Sequence, residues 1–119
     1  MKLLLAVAVV VAAASAHAQD EVVYAQGNGV STPKVVTHVA PQYMSEAMRQ
    51  KIKGAAILDA VVKSDGTVGE VTVRESLDRF YGLDENCVRA LKQWKFRPGM
   101  KDGKAVAVRI TVTMTFTMN

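Results

Sequence analysis

The sequence predicts a two-layer α+β domain in which a three-stranded antiparallel sheet carries two helices on one face. Apolar residues alternate without an error from Val106 to Met118, which is typical of a strand with one buried face. Two segments, 43–53 and 83–94, instead place their apolar residues on one side of a helix. Asp65-Gly66 separates two further runs that favour strands, as in a β-hairpin. A chain of 119 residues has room for one such domain.

The first 18 residues have the features of a secretory signal peptide, and 35–119 is the expected domain. Lys2 precedes twelve residues without a polar side chain, and Ala16 and Ala18 occupy the two positions that a signal peptidase reads. The alternative is an uncleaved anchor, but even the fourteen residues Leu3–Ala16 would reach only about 21 Å across a hydrocarbon core of about 30 Å. Residues 19–34 are polar, contain glycine and show no period, which favours a flexible leader.

The first half of the domain is expected to contain a short strand, a helix and a hairpin. Val35–Val39 favours a strand that ends at Pro41. Ser45 is the expected N-cap of the helix within 43–53, and Gly54 its stop. The hairpin then consists of strands 55–63 and 68–77 around the Asp65-Gly66 turn.

The second half is expected to contain a helix over Leu83–Trp94 and the long last strand. Asp84 and Glu85 lie where the positive end of the helix dipole favours anions, and Pro98-Gly99 ends the segment. If the last strand pairs with the first strand of the hairpin, the sheet order is 2-1-3. The helical crossover is then right-handed, and the last strand lies at an edge of the sheet.

Composition and spacing argue against an enzyme and against a bound cofactor or metal. No nucleophile motif, phosphate-binding loop or pair of histidines is present, and His38 has no further metal ligands at a suitable spacing. Cys87, on the apolar side of its helix, is expected to be a buried small hydrophobe. A net charge of +4 is too small for a dedicated nucleic-acid binder. The basic residues at the end of the second helix and beyond it fit a solvated helix end: Arg89, Lys92, Lys95, Arg97, Lys101 and Lys104.

Several short motifs, in order, resemble the C-terminal domain of the TonB family over roughly residues 35–117. They are Pro41-Gln42-Tyr43, Gly54, Asp65-Gly66, Gly82-Leu83-Asp84, Trp94-Lys95-Phe96-Arg97-Pro98-Gly99 and Asp102-Gly103-Lys104. The resemblance implies a periplasmic domain that binds a short extended segment of outer-membrane receptors, the TonB box, as a strand added beside the last strand. It also implies that the loop at Gln42-Tyr43 is a second contact region.

Three departures from the family pattern lead us to expect a stand-alone periplasmic member. A cleavable signal replaces the membrane-spanning helix of a full transducer, and the long proline-rich spacer is absent. The fifteen residues before Lys34 reach about 50 Å at most. Met44 also stands where the family usually has a proline.

The edge of the last strand is the candidate binding site, because its unpaired amides and carbonyls can accept another strand. Two alternatives remain open: a structural envelope protein whose edge pairs with a second copy, as a weak dimer, and an edge covered by the 19–34 leader. The residues expected to bind a partner are Gln42, Tyr43, Val106, Val108, Arg109, Ile110, Thr111, Val112, Thr113 and Met114.

The signal peptide gives the first testable prediction. Because the small residues end at Ala18, we expect the exported protein to begin at Gln19. Intact-mass measurement on protein released from the periplasm checks this. A membrane-bound form that retains residues 1–18 would support the anchor instead.

Overall fold

The computed structural model describes residues 21–118, so the predicted signal peptide lies outside the described residues. Within them the chain forms seven strands and two helices, and neither helix is long and apolar enough to cross a membrane. The elements are β1 (Val23–Tyr24), β2 (Lys34–Thr37), α1 (Ser45–Arg49), β3 (Gly54–Val62), β4 (Val68–Glu75), α2 (Leu83–Lys92), β5 (Lys95–Arg97), β6 (Gly99–Lys101) and β7 (Lys104–Phe116).

The main sheet has the order β1-β7-β3-β4, with β6 also paired to β7. The predicted antiparallel order 2-1-3 is present as β4-β3-β7, but the order of the whole sheet differs because β1 lies beyond β7. The strand count is higher than predicted, since β1 and β6 add to this sheet and β2 pairs with β5 in a separate ribbon. The longest ladder runs antiparallel between β3 and β7, from the pair Gly54–Phe116 to the pair Val62–Val108.

The core lies between α2 and one face of the β3–β7 ladder. Even-numbered residues of both strands point to this face because side chains alternate along a strand. Leu58 and Val108 on the sheet, and Leu83 and Leu91 on α2, are fully buried. The threonines of β7 lie on the opposite, exposed face. The alternation in the sequence therefore identifies correctly which side of the last strand is buried.

The Asp65-Gly66 turn is present, and its glycine is required for two reasons. Gly66 has a φ of 87°, a conformation that side-chain-bearing residues rarely adopt. A Cβ atom there would also lie 2.2 Å from the carbonyl oxygen of Phe96. In this close approach the Phe96 amide donates to the Gly66 carbonyl at 2.8 Å, which ties the hairpin to β5.

The first helix is shorter than predicted. Ser45 is its first residue rather than its N-cap; Met44 precedes the helix and makes no side-chain capping bond. The helix ends at Arg49, and Lys51 turns the chain with a φ of 57°. Gly54 begins β3 and is not the helix stop. The apolar period continues past the helix because Ile52 still packs on the core. The backbone amide of Ile52 donates a hydrogen bond to the Ala47 carbonyl at 2.9 Å, which holds it there.

The second helix also ends early, at Lys92, and Lys95–Arg97 becomes strand β5. The indole nitrogen of Trp94 donates to the Val39 carbonyl at 2.8 Å, and β5 pairs with β2. These contacts with distant residues end the helix before Pro98. The spacing of apolar residues along the helix cannot predict them.

The leader, predicted to be flexible, is paired and partly buried over the residues that the structure describes. It contributes β1 to the main sheet, and Val30 lies in the core with 8% of its surface exposed. β1 was missed because two residues are too few to show a period of two.

Two buried carboxylates organise the loop between β4 and α2. Asp84 accepts hydrogen bonds from the Ser76 hydroxyl and from the amides of Leu77 and Asp78 at 2.9 and 3.0 Å. Asp78 in turn accepts from three amides of the loop, including that of Leu83 at 3.1 Å. Burial alone would raise the pKa of Asp84, but the hydrogen bonds from Asp78, Ser76 and Leu77 outweigh it and hold the pKa below its ordinary value.

This network predicts the pH dependence of the Asp84→Asn variant. Since the folded-state pKa is lowered, ionised Asp84 stabilises the fold above the unfolded value of about 3.9, and this contribution is lost as the pH falls through the folded pKa. We expect the variant to lower the free energy of unfolding at pH 7 by about 1–3 kcal/mol and to weaken its decrease on acidification. Denaturant titrations across pH measure both effects, with Asp102→Asn, at an exposed turn, as the control. Equal acid dependence in the variant and the native protein would contradict this.

Candidate functional site

The outer side of β7, away from β3, is divided into a covered part and an open part. On this side β1 pairs with Ala107–Val108. At the next residue the side-chain amide of Gln26 donates to the Arg109 carbonyl at 3.5 Å. From Ile110 to Phe116, β3 on the inner side is the one strand within residues 21–118 that pairs with β7. We call the outer side of this stretch the open edge.

The hairpin turn determines which amides of the open edge point outward. The Lys63 amide donates to the Thr67 carbonyl, so odd-numbered residues of β3 direct their backbone groups to β4. Even-numbered residues of β3 therefore bond to the even-numbered residues opposite them in β7, as in the pair Leu58–Val112. The backbone groups of Thr111 and Thr113 then face outward. The Gln26 bond to the carbonyl of Arg109, another odd-numbered residue, agrees with this pattern.

A polar cluster on the exposed face of the sheet fixes the side chain of Thr111. Its hydroxyl donates to Asp59 on β3 at 2.8 Å, and Arg74 Nε on β4 donates to the same carboxylate at 2.9 Å. The Thr111 hydrogen bond, with the charges of Arg74 and Arg109, lowers the pKa of Asp59. One residue of the open edge is thus oriented across all three central strands.

The loop at Gln42 and Tyr43 lies at the far end of the open edge. The Tyr43 ring packs edge-on against Phe116, with 5.0 Å between centroids, and its hydroxyl donates to the Ile52 carbonyl. The Gln42 carbonyl accepts from the side-chain amide of Asn86 on α2 at 3.0 Å, while the Gln42 side chain is exposed. The structure therefore brings Tyr43 to the last residue of β7.

The predicted binding residues divide into two groups. Ile110, Thr111, Val112, Thr113 and Met114 all lie on the open edge. For Val108 the expectation of an unpaired outer side is wrong, because β1 lies there, and Val106 pairs with Gly99 of β6 rather than lying on the open edge. Whether these residues contact a partner stays a prediction. Gln26 is not among the predicted binding residues, although the apolar run before it, Val22-Val23-Tyr24, is a weak signal of a strand.

Two groups considered in the sequence lie away from this site. Cys87 is fully buried as expected, and burial, together with the charge of Asp84, raises its pKa to about 11. The thiol is therefore protonated and shielded. The ring of His38 packs edge-on against Trp94 at 4.8 Å. Among residues 21–118, no three potential metal ligands lie close enough together to hold an ion.

Comparison with known proteins connects this architecture to one family. The family described as Gram-negative bacterial TonB protein C-terminal matches residues 39–118. Protein tonB2 of Pseudomonas aeruginosa is 34% identical over 80 residues, which are 67% of this chain and 29% of that protein. Protein TonB of Xanthomonas campestris pv. campestris is 33% identical over 79 residues, 66% of this chain and 35% of that protein. The chain thus spans about a third of the length of the curated relatives it matches.

A solved structure agrees with the fold. The solution NMR structure of the Pseudomonas aeruginosa TonB CTD superposes with a TM-score of 0.61 and is 24% identical in sequence. The superposition covers 80% of this chain and 93% of that one. At this level of identity the likeness supports the architecture of the domain.

The direction of the amides along β7 gives a prediction that needs no ligand. In the isolated protein we expect the amides of Thr111 and Thr113 to exchange with solvent quickly, because they face outward. Those of Val112 and Met114 bond to β3 and should exchange slowly. Residue-resolved hydrogen exchange by NMR measures the four rates. Equally slow exchange at all four positions would show that the outer side is already paired.

Proposed function

The chain belongs to the family of TonB C-terminal domains, and on that premise we propose that it acts in TonB-dependent transport across the cell envelope. It would work in the periplasm as a binding module for extended segments of outer-membrane receptors. The segment is added to the main sheet as a strand beside β7, between Ile110 and Phe116. The open edge is the observation that carries this proposal.

The length of the open edge supports a short extended ligand. Seven residues at about 3.3 Å each give a docking length of about 23 Å. Within it Thr111, Thr113 and Thr115 turn their amides and carbonyls outward, which allows up to six main-chain hydrogen bonds. The strand also carries no proline and, between Ile110 and Phe116, no charged side chain that would discourage pairing.

The energetics favour a transient complex. Six main-chain hydrogen bonds contribute about 3–9 kcal/mol net, whereas association costs at least about 4 kcal/mol. Backbone pairing alone therefore leaves little affinity, and side-chain contacts must supply the rest. Tyr43, rigidly packed on Phe116 at one end of the edge, and the exposed Gln42 beside it are the proposed second contact region.

The same edge supports one alternative, a structural envelope protein that pairs with a second copy of itself. β-branched threonines along an unblocked strand favour such pairing as well. Sedimentation at tens of micromolar separates the two: we expect mainly monomer, whereas a stable strand-paired dimer would favour the structural function.

Proline substitutions test the docking edge directly. Because the Thr111 and Thr113 amides face outward, Thr111→Pro and Thr113→Pro each remove a donor to the ligand without removing a backbone bond to β3. Thr111→Pro also removes the hydroxyl bond to Asp59, so Thr113→Pro is the cleaner of the two variants. We expect affinity for N-terminal receptor peptides to fall by about tenfold or more, with the fold retained by circular dichroism. Calorimetric titration of synthetic peptides measures this.

The control is Val73→Pro on β4, the strand at the opposite edge of the sheet. Val73 lies next to Thr72, whose backbone is directed to Asp59, so its amide also faces outward. The Val73→Pro variant should therefore leave peptide affinity unchanged. Native affinity in both threonine variants would remove β7 as the docking strand, and equal loss in all three would indicate a general effect on the sheet.

A further inference from the structure

Strand β1 occupies the same side of β7 as the open edge and lies directly before it. Val23 and Tyr24 pair in parallel with Ala107 and Val108. The Gln26 side chain then reaches the Arg109 carbonyl. A strand docked on the open edge would therefore meet Gln26 and β1 at its Ile110 end.

β1 itself is held by few contacts. It has two residues in the ladder, its Gln26 bond is long at 3.5 Å, and 38% of the Val23 surface is exposed. The Tyr24 ring packs partly buried against the core, and the ammonium of Lys101 lies 4.9 Å from its centre, a half-buried cation–π contact. β1 is therefore held by a two-residue ladder, one long hydrogen bond and the Tyr24 ring.

The chain just after β1 is anchored much more firmly. Val30 is buried in the core. The Ser31 amide donates to the Met100 carbonyl at 3.0 Å, and the Ser31 hydroxyl oxygen accepts from the Met100 amide at 2.8 Å. Between anchor and strand, residues 27–29 turn with φ values of 92°, 54° and 88°. β1 is thus a weakly paired strand on a firmly attached turn.

This strap of residues 21–31 lies outside residues 39–118, the part of the chain that the family matches. Its position at one end of the open edge gives it a direct means of acting on the ligand.

We propose that β1 and Gln26 limit the length of the docked segment, so that the protein selects short extended peptides that fit the seven residues from Ile110 to Phe116. This inference rests on the function proposed above. A seven-residue segment docks without disturbing β1. A longer segment that continues past Arg109 must displace β1 and loses about as many bonds as it gains, so its extra residues add no affinity.

Cysteine and proline variants can fix or remove the strap. Val23 and Ala107 are paired neighbours that line the same shallow groove, so Val23→Cys with Ala107→Cys places two thiols for a disulfide. Cys87 is fully buried and does not compete. The reduced form of the same protein is the matched control. Val23→Pro with Tyr24→Pro removes both amides of β1 and opens the edge, whichever of them bonds to β7.

The test compares two synthetic peptides from the N-terminal segment of one outer-membrane receptor, seven and eleven residues long with a common core. In the native, reduced and oxidised proteins we expect the two peptides to bind equally. In the proline variant the longer peptide should bind about tenfold more tightly, because about two further hydrogen bonds to β7 become available.

Each other outcome has a distinct meaning. A longer peptide that gains affinity in the oxidised protein, or gains none in the proline variant, would overturn the length limit and leave the docking function intact. Weaker binding of the seven-residue peptide to the oxidised than to the reduced protein would show that β1 must leave for any docking, which also overturns it. Binding of neither peptide to any form would overturn the docking function and the length limit together.

Discussion

The antiparallel ladder between β3 and β7 is the constraint on which the rest of the molecule depends. It runs from the Gly54–Phe116 pair to the Val62–Val108 pair without a register shift. Because side chains alternate along both strands, this ladder places one apolar row against α2 and leaves the threonine row in solvent. It also decides which backbone groups of β7 are used inside the sheet, and so which ones remain for a partner. Core and candidate site are two consequences of one register.

Elements that depend on local sequence could be predicted, and those that depend on distant contacts could not. The alternation in β7 and the Asp65-Gly66 turn are local signals, and both appear where the sequence places them. The early end of α2 depends on the bond of Trp94 to Val39, 55 residues away. The spacing of apolar residues in a helix cannot predict such a bond. The candidate site was predicted from the same alternation as β7, and the part covered by β1 was not predicted because β1 has only two residues.

The docking proposed above would combine a weak main-chain interaction with an ordered frame. Thr111 is oriented by Asp59 and Arg74, and Tyr43 is packed on Phe116, so little conformational entropy is lost there on binding. Since the protein is preordered, the modest hydrogen-bond gain is not spent on organising it. Such a surface suits a partner that must be captured and released repeatedly.

The bond between Gly66 and Phe96 has a consequence for how the chain folds. The β3–β4 hairpin is made of neighbouring residues, so it can form early, on the microsecond scale typical of hairpins. Its tip is completed only when Phe96, 30 residues further along, delivers its amide to the Gly66 carbonyl. The hairpin can thus form before β5 packs, whereas its tip is completed by the later hydrogen bond from Phe96. Native-like order at the tip therefore indicates that β5 is in place.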